Sequence, residues 1–176
     1  MSRNGDVVSA GASFADRVPA ASETADKPGT GRVRIVSDGG TDLPPDMAQG
    51  LGIQLVRGEV HMGTGVWHGS AEDFWEAVRA GQVPSTSAPA AHTLAGVYAG
   101  MDPVCAIHVS GELSRTVEHA KDAARGSGGR VHVVDSRSLS VGAGLVAVTA
   151  ARAAQADLDL GHLKPAVRTM VDQVHV

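Results

Sequence analysis

The sequence predicts an α/β fold, a mostly parallel sheet flanked by helices and preceded by a disordered leader. Short β-branched runs alternate with helical patterns along the chain, the order expected of βαβ units. Of the 176 residues 43% are hydrophobic but only 3% aromatic, so the core must be built from Val, Leu, Ile and Ala. The 22 glycines supply tight turns and close backbone approaches.

Residues 1–31 are small, polar and aperiodic and end in Lys-Pro-Gly-Thr-Gly, the composition of a disordered leader. The folded part, residues 32–176, begins with a strand at Val33–Val36, stopped by Ser37-Asp38-Gly39-Gly40. Pro44 and Pro45 open a helix that ends near Gly50 or Gly52. A strand follows from Ile53 to about Val60. Ser70 and Asp73 form a capping box for a helix with Phe74, Trp75 and Val78 on one face, stopping at Gly81. After a stiff turn at Pro84–Pro89, Thr93–Gly100 is helical. Val104–Val109 is a continuous apolar run of the kind buried on both faces of a sheet. Leu113–Ala124 is a helix, Val131–Val134 a strand, and Leu139–Ala154 and Leu160–Val171 are helices. Val174-His175-Val176 reads as the start of another strand, so the sequence looks cut off.

Composition excludes several classes of function. Fifteen basic and 19 acidic residues without a block of either sign leave no nucleic-acid footprint. One cysteine, Cys105, permits neither an internal disulfide nor a zinc knuckle; inside a β-run it is an inert core residue, and a reducing cytoplasm fits. The eight histidines show no metal-ligand spacing. No stretch reaches the roughly 20 apolar residues of a membrane span, so an integral membrane protein is not expected. P-loop and nucleophile-elbow motifs are missing, and the loose glycine match at Gly142–Ala147 falls inside a helix, where close packing explains it.

Three hydroxyl-rich turns remain, placed at or near the carboxyl ends of strands where α/β proteins bind ligands. At Ser37–Asp42, the Gly39 and Gly40 amides with Thr41 and Asp42 form either an anion cradle or an ordinary turn in which Asp42 caps the next helix. Between Pro84 and Pro89, Ser85, Thr86 and Ser87 are either stiffly presented donors or a connection in which Ser87 is a cap. At Ser110–Thr116, Ser110 ends a strand and Ser114 falls in the first turn of the next helix, either an anion site or a cap.

Together these segments, with Val134-Asp135-Ser136-Arg137-Ser138-Leu139-Ser140, resemble in their order the DegV family of fatty-acid-binding proteins. The resemblance covers about residues 33–176. It implies a tunnel for a long-chain fatty acid between two α/β lobes, of which this sequence holds the N-terminal one and lacks the second. It also implies a carrier, not a catalyst, that uses no cofactor and presents the acyl carboxylate to a fatty acid kinase for phospholipid synthesis. Carried over by motif, Thr86 and Ser114 are the carboxylate-binding hydroxyls. Asp38, Thr41, Asp42, Ser87, Ser110, Arg115, Asp135 and Ser136 shape the site. Arg115 stands where the family has Gly, Ala88 where it has Gln, and Gly39 and Gly40 replace hydroxyl residues. Two other readings stay open: a small α/β transferase acting on a phosphate or acyl substrate through Asp38 or Asp42, and a fragment without ligand function.

Overall fold

The computed structural model describes residues 32–100 and 103–174. The expected leader, 1–31, and the terminal pair 175–176 lie outside them.

Four strands form a parallel sheet in the order β2-β1-β6-β7: β1 is Arg34–Asp38, β2 Ile53–Val56, β6 Val104–His108 and β7 Val131–Asp135. Alternation along the strands divides the core in two, because successive side chains point to opposite faces. Ile35, Cys105 and Ile107 face one way and pack with Val146, Ala147, Leu163 and Val167 of α5 (Ser140–Gln155) and α6 (Leu160–Gln173). Val36, Val104 and Ala106 face the other way, toward Leu94 and Tyr98 of α3 (Ala91–Ala99) and Ala120 of α4 (Thr116–Ala124). The central strand β6 is buried throughout, as its apolar run predicts. Burial there pushes the Cys105 thiol up to about 12, which suits an inert core residue.

Small residues let α5 approach the sheet closely. Its buried stripe includes Ala143, Gly144, Ala147, Ala150, Ala151 and Ala154. A Cβ on Gly144 would stand 2.7 Å from the Thr41 carbonyl oxygen, so the start of α5 lies directly on the turn that follows β1.

A second, antiparallel sheet in the order β4-β3-β5 was not expected. It joins β3 (Val60–Met62), β4 (Gly65–Val66) and β5 (Pro84–Thr86). The strand expected from Ile53 to Val60 is therefore two strands in two sheets. The break falls at Arg57-Gly58-Glu59, where the chain passes the Ser87 backbone so closely that a Cβ on Gly58 would lie 2.0 Å from the Ser87 oxygen. Pro84 begins β5, a position where its missing N–H is tolerated.

Helix boundaries follow the local donors. In α1 (Pro45–Leu51) the N-cap is Pro44, without a side-chain cap, and Gly52 closes the helix at φ 68°. Asp42 does not cap it; this residue, at φ 49°, ends the single 3₁₀ turn Gly39–Thr41. In α2 (Ala71–Arg79) the expected capping box is present: Ser70 Oγ accepts from Asp73 N, and Asp73 Oδ2 accepts from Ser70 N. The Ser70 hydroxyl also donates to Asp73 Oδ2 at 2.6 Å, and this bond, with the one from the Ser70 amide, holds the Asp73 carboxyl below its usual range. The half-buried face of α2 is Phe74, Ala77 and Val78, while Trp75, one residue round the helix, is 57% exposed. Helix α4 starts at Thr116, not Leu113, because the Leu113 and Ser114 amides turn back to the Ser110 carbonyl.

Candidate carboxylate site at the end of the parallel sheet

Asp38 ends β1 almost wholly buried, and its carboxylate is filled by three donors. Oδ1 accepts from Gly40 N at 2.9 Å; Oδ2 accepts from Val109 N at 3.1 Å and from His108 Nδ1 at 3.0 Å. A carboxylate only accepts, so His108 carries its proton on Nδ1. Nε2 then accepts from the Tyr98 hydroxyl at 3.2 Å, and each member of this buried series has a partner. Burial, with the Asp38 charge adding to it, pushes the Tyr98 phenol well above its ordinary range. Around it, Ser37 Oγ donates to the Ile107 carbonyl at 2.6 Å and Thr41 Oγ1 to the Asp38 carbonyl at 2.8 Å.

This arrangement corrects the cradle reading of the first turn. The Gly40 amide is committed to Asp38 and is not free for an anion. Asp42, which ends the turn, is exposed.

The third and fourth motifs are brought together at the same end of the sheet. Ser110 N donates to the Ser138 carbonyl at 2.8 Å, and Ser136 N to the His108 carbonyl at 3.0 Å. Asp135 accepts the Gly111 amide on both oxygens and the Arg137 amide on Oδ1. A Cβ at 111 would sit 2.9 Å from Asp135 Oδ2, so glycine permits this approach. Ser136 Oγ donates to the Ser138 carbonyl and accepts from the Ser138 amide. The buried Ser138 hydroxyl has no partner among the described residues.

Ser114 lies in the turn before α4, not in its first turn, and is half-buried. Its hydroxyl pairs with Thr116 Oγ1 at 2.8 Å and accepts the Thr116 amide at 3.3 Å. When Thr116 donates within that pair, the Ser114 proton is left to donate outward. Arg115 extends into solvent and pairs with Glu118 at 3.1 Å, so it does not serve the Ser114 hydroxyl.

Thr86 and Ser87 belong to a different neighbourhood, on or next to β5. Thr86 is exposed and pairs with Val60 across the small sheet. Ser87 donates its amide to the Glu59 carbonyl and shares a 3.4 Å contact with His61 Nε2. No hydrogen bond among the described residues joins this pair to the Asp38 or Ser110 groups. One link between the neighbourhoods is His119 of α4, whose Nδ1 donates to the carbonyl of Pro89, two residues beyond Ser87, at 2.9 Å.

Apolar side chains border the hydroxyl-bearing turns. Leu113 is 66% exposed, Val141 75% and Leu145 55%, and Leu139, the N-cap of α5, is half exposed. The Ser110–Ser138 bond holds the turns that carry Leu113 and Leu139 at one end of the sheet, and Val141 and Leu145 stand one turn apart on α5.

Sequence reasoning missed His108 and Tyr98. A single histidine inside a fully apolar strand was a usable signal, because a buried imidazole needs partners on both nitrogens. Among the described residues no three His, Cys, Asp or Glu side chains are grouped to hold a metal ion, and no helix is long and apolar enough to cross a membrane.

A family model described as "uncharacterised protein, DegV family" matches residues 32–176. A DegV domain-containing protein of Deinococcus radiodurans is 38% identical over 135 residues, which is 70% of this chain and 47% of that protein. One from Mycobacterium tuberculosis is 37% identical over 99 residues, 56% of this chain and 35% of its own. Among solved structures, a fatty-acid-binding DegV family protein from Thermus thermophilus matches with a TM-score of 0.74 and 29% identity, over 80% of this chain and 54% of that one. The chain thus spans about half the length of the Deinococcus and Thermus proteins and about a third of the Mycobacterium one.

Proposed function

The chain belongs to the DegV family, and from that premise we propose that it binds the carboxylate of a long-chain fatty acid through Thr86 and Ser114. Residues 32–176 act as the N-terminal lobe of a carrier, and a second surface, on a longer chain or a partner, completes the enclosure of the tail. The carrier works in the cytoplasm and presents the acyl carboxylate to a fatty acid kinase, feeding phospholipid synthesis, with no cofactor and no catalysis of its own. Asp38, Thr41, Ser110, Asp135 and Ser136 hold the turns in shape; Asp42, Ser87 and Arg115 stand at the margin.

The observation that carries this reading is the set of exposed apolar side chains next to the hydroxyl-bearing turns: Leu113 adjoins Ser114, and Leu139, Val141 and Leu145 follow Ser138, whose carbonyl holds the Ser110 amide. A hydroxyl donor next to open apolar surface fits an amphiphile with a carboxylate head. Each methylene buried there contributes about 0.8 kcal/mol, so tail contact dominates affinity while hydroxyls select the head. The transferase reading through Asp38 loses support, because that carboxylate is buried and occupied by three donors and so offers no free base or nucleophile.

Lipid extracted from the purified protein and analysed by mass spectrometry is expected to contain a fatty acid. Thr86→Ala and Ser114→Ala should each weaken fatty-acid binding by about 1.4 kcal/mol, roughly tenfold in Kd. Folded protein that carries no acyl chain and takes up none when supplied would overturn the proposal.

A further inference from the structure

The two ends of the Tyr98–His108–Asp38 series lead to different halves of the proposed site. Asp38 Oδ2 holds the Val109 amide. The next residue, Ser110, uses its carbonyl to hold the amides of Leu113 and Ser114. Tyr98 stands on α3, whose first residue, Ala91, follows closely on the segment 84–90 that carries Thr86. His108 is the only link in this series between α3 and Asp38. We propose that His108 and Tyr98 are positioning residues for carboxylate recognition, holding the Ser114 turn in register with the segment that presents Thr86. The inference rests on the fatty-acid reading above and deepens it.

Stability alone does not account for a histidine here. Its strand neighbours Val104, Cys105, Ala106 and Ile107 are apolar and wholly buried, and the elements around them are packed with Leu94, Val36 and Ala120. In such a place an apolar residue of similar volume is often as good as a buried polar group or better. A fully satisfied polar network contributes something an apolar contact does not, which is a single allowed geometry. Nδ1–H must meet Asp38 and Nε2 must meet the Tyr98 hydroxyl, so the imidazole fixes the distance and direction between α3 and the end of β1. Greasy packing would let those elements slide. Two hydroxyls that must converge on one carboxylate tolerate little sliding, since a hydrogen bond weakens sharply with distance and angle.

The test separates head-group recognition from general integrity. Oleate and oleyl alcohol share a tail and differ in the head, and both are titrated into the full chain. Tyr98→Phe removes one hydroxyl and keeps the ring; it should bind the alcohol like the unmutated protein but the acid about tenfold more weakly. His108→Asn, which retains an N–H aimed at Asp38, should preserve more acid affinity than His108→Leu. An equal loss for acid and alcohol, or no loss for either in folded variants, would overturn the positioning role. If the unmutated protein takes up neither probe, the fatty-acid reading itself fails, and the coupling is read from amide NMR spectra. Tyr98→Phe should then move the signals of both 109–114 and 85–88; shifts confined to one of these segments would also overturn it.

Discussion

At the carboxyl end of the four-stranded sheet, Ser37, Asp38, Thr41, His108, Ser110 and Ser136 are buried and each is hydrogen-bonded, whereas on the three-stranded sheet Ser85, Thr86 and Ser87 face solvent. The contrast extends to packing. The first region sits between the two halves of the core, with α5 on one face of the sheet and α3 on the other, while α2, between β4 and β5 in the chain, has no fully buried residue and Val83 beside Pro84 is 82% exposed. One region is tightly packed with most of its donors committed; the other offers exposed hydroxyls on a lightly held support. A binding site drawn from both gains a firm frame, with the Ser114 hydroxyl at its edge, from the first and the Thr86 hydroxyl from the second. It also depends on whatever couples them, which is why the α3 and α4 links at Tyr98 and His119 matter.

The sharpest way to break that comparison is Asp38→Ala. It leaves the buried His108 ring N–H and Val109 amide and the half-buried Gly40 amide without their acceptor. At about 1 kcal/mol or more for each stranded donor, the loss should be about 3 kcal/mol or more in urea unfolding. Thr86→Ala, by contrast, should stay within about 0.5 kcal/mol, as exposed substitutions usually do. Similar losses for the two would show that the regions do not differ as described.

A pair of glycines tests the same contrast through backbone approach. Gly144→Ala brings a methyl group to 2.7 Å from the Thr41 carbonyl, between α5 and the rigid turn. Overpacking of this kind costs about 1–3 kcal/mol, and the gain of about 1 kcal/mol in helix propensity offsets only part of it. Gly58→Ala creates a closer clash, with the Ser87 carbonyl, but in the region free to yield. Its unfolding midpoint should fall less than that of Gly144→Ala, while the amide signals of Ser85–Ser87 shift and fatty-acid affinity drops as Thr86 is displaced. The reverse order of stabilities would place the rigid contact at the small sheet.

The same difference explains what could be read from the sequence. The parallel sheet was legible because its strands are short apolar runs and three of the four, β1, β6 and β7, are followed by a helix, and the all-buried Val104–His108 strand and the Ser70–Asp73 capping box follow from composition and spacing. The antiparallel sheet was not, since β3, β4 and β5 are two or three residues long and the pairing of Val60 with Thr86 spans a helix. No local period marks such a contact. The Leu113–Ser114 segment was assigned to α4 because its composition suits a helix, but the Ser110 carbonyl competes for its amides. Thr86 and Ser114 were chosen by resemblance, and nothing in their spacing shows that one lies on a strand and the other in a turn.

Within the rigid region itself, two serines make a finer test with effects of opposite sign. Ser136 and Ser138 are both buried and stand two residues apart. The Ser136 hydroxyl makes two hydrogen bonds to the backbone of Ser138, so Ser136→Ala removes both and leaves the Ser138 amide without its partner. A loss of about 1 kcal/mol is expected. The Ser138 hydroxyl meets no partner among the described residues, so replacing it with a methyl hydrogen costs no bond and relieves the burial of an unpaired polar group. Ser138→Ala should therefore leave stability unchanged or raise it by up to about 1 kcal/mol in ligand-free protein. Thermal unfolding of the two variants side by side gives the sign directly. If Ser138→Ala is the more destabilising of the two, the Ser138 hydroxyl has a partner of its own, and the hydrogen-bond pattern between β6, β7 and the start of α5 must be redrawn around it.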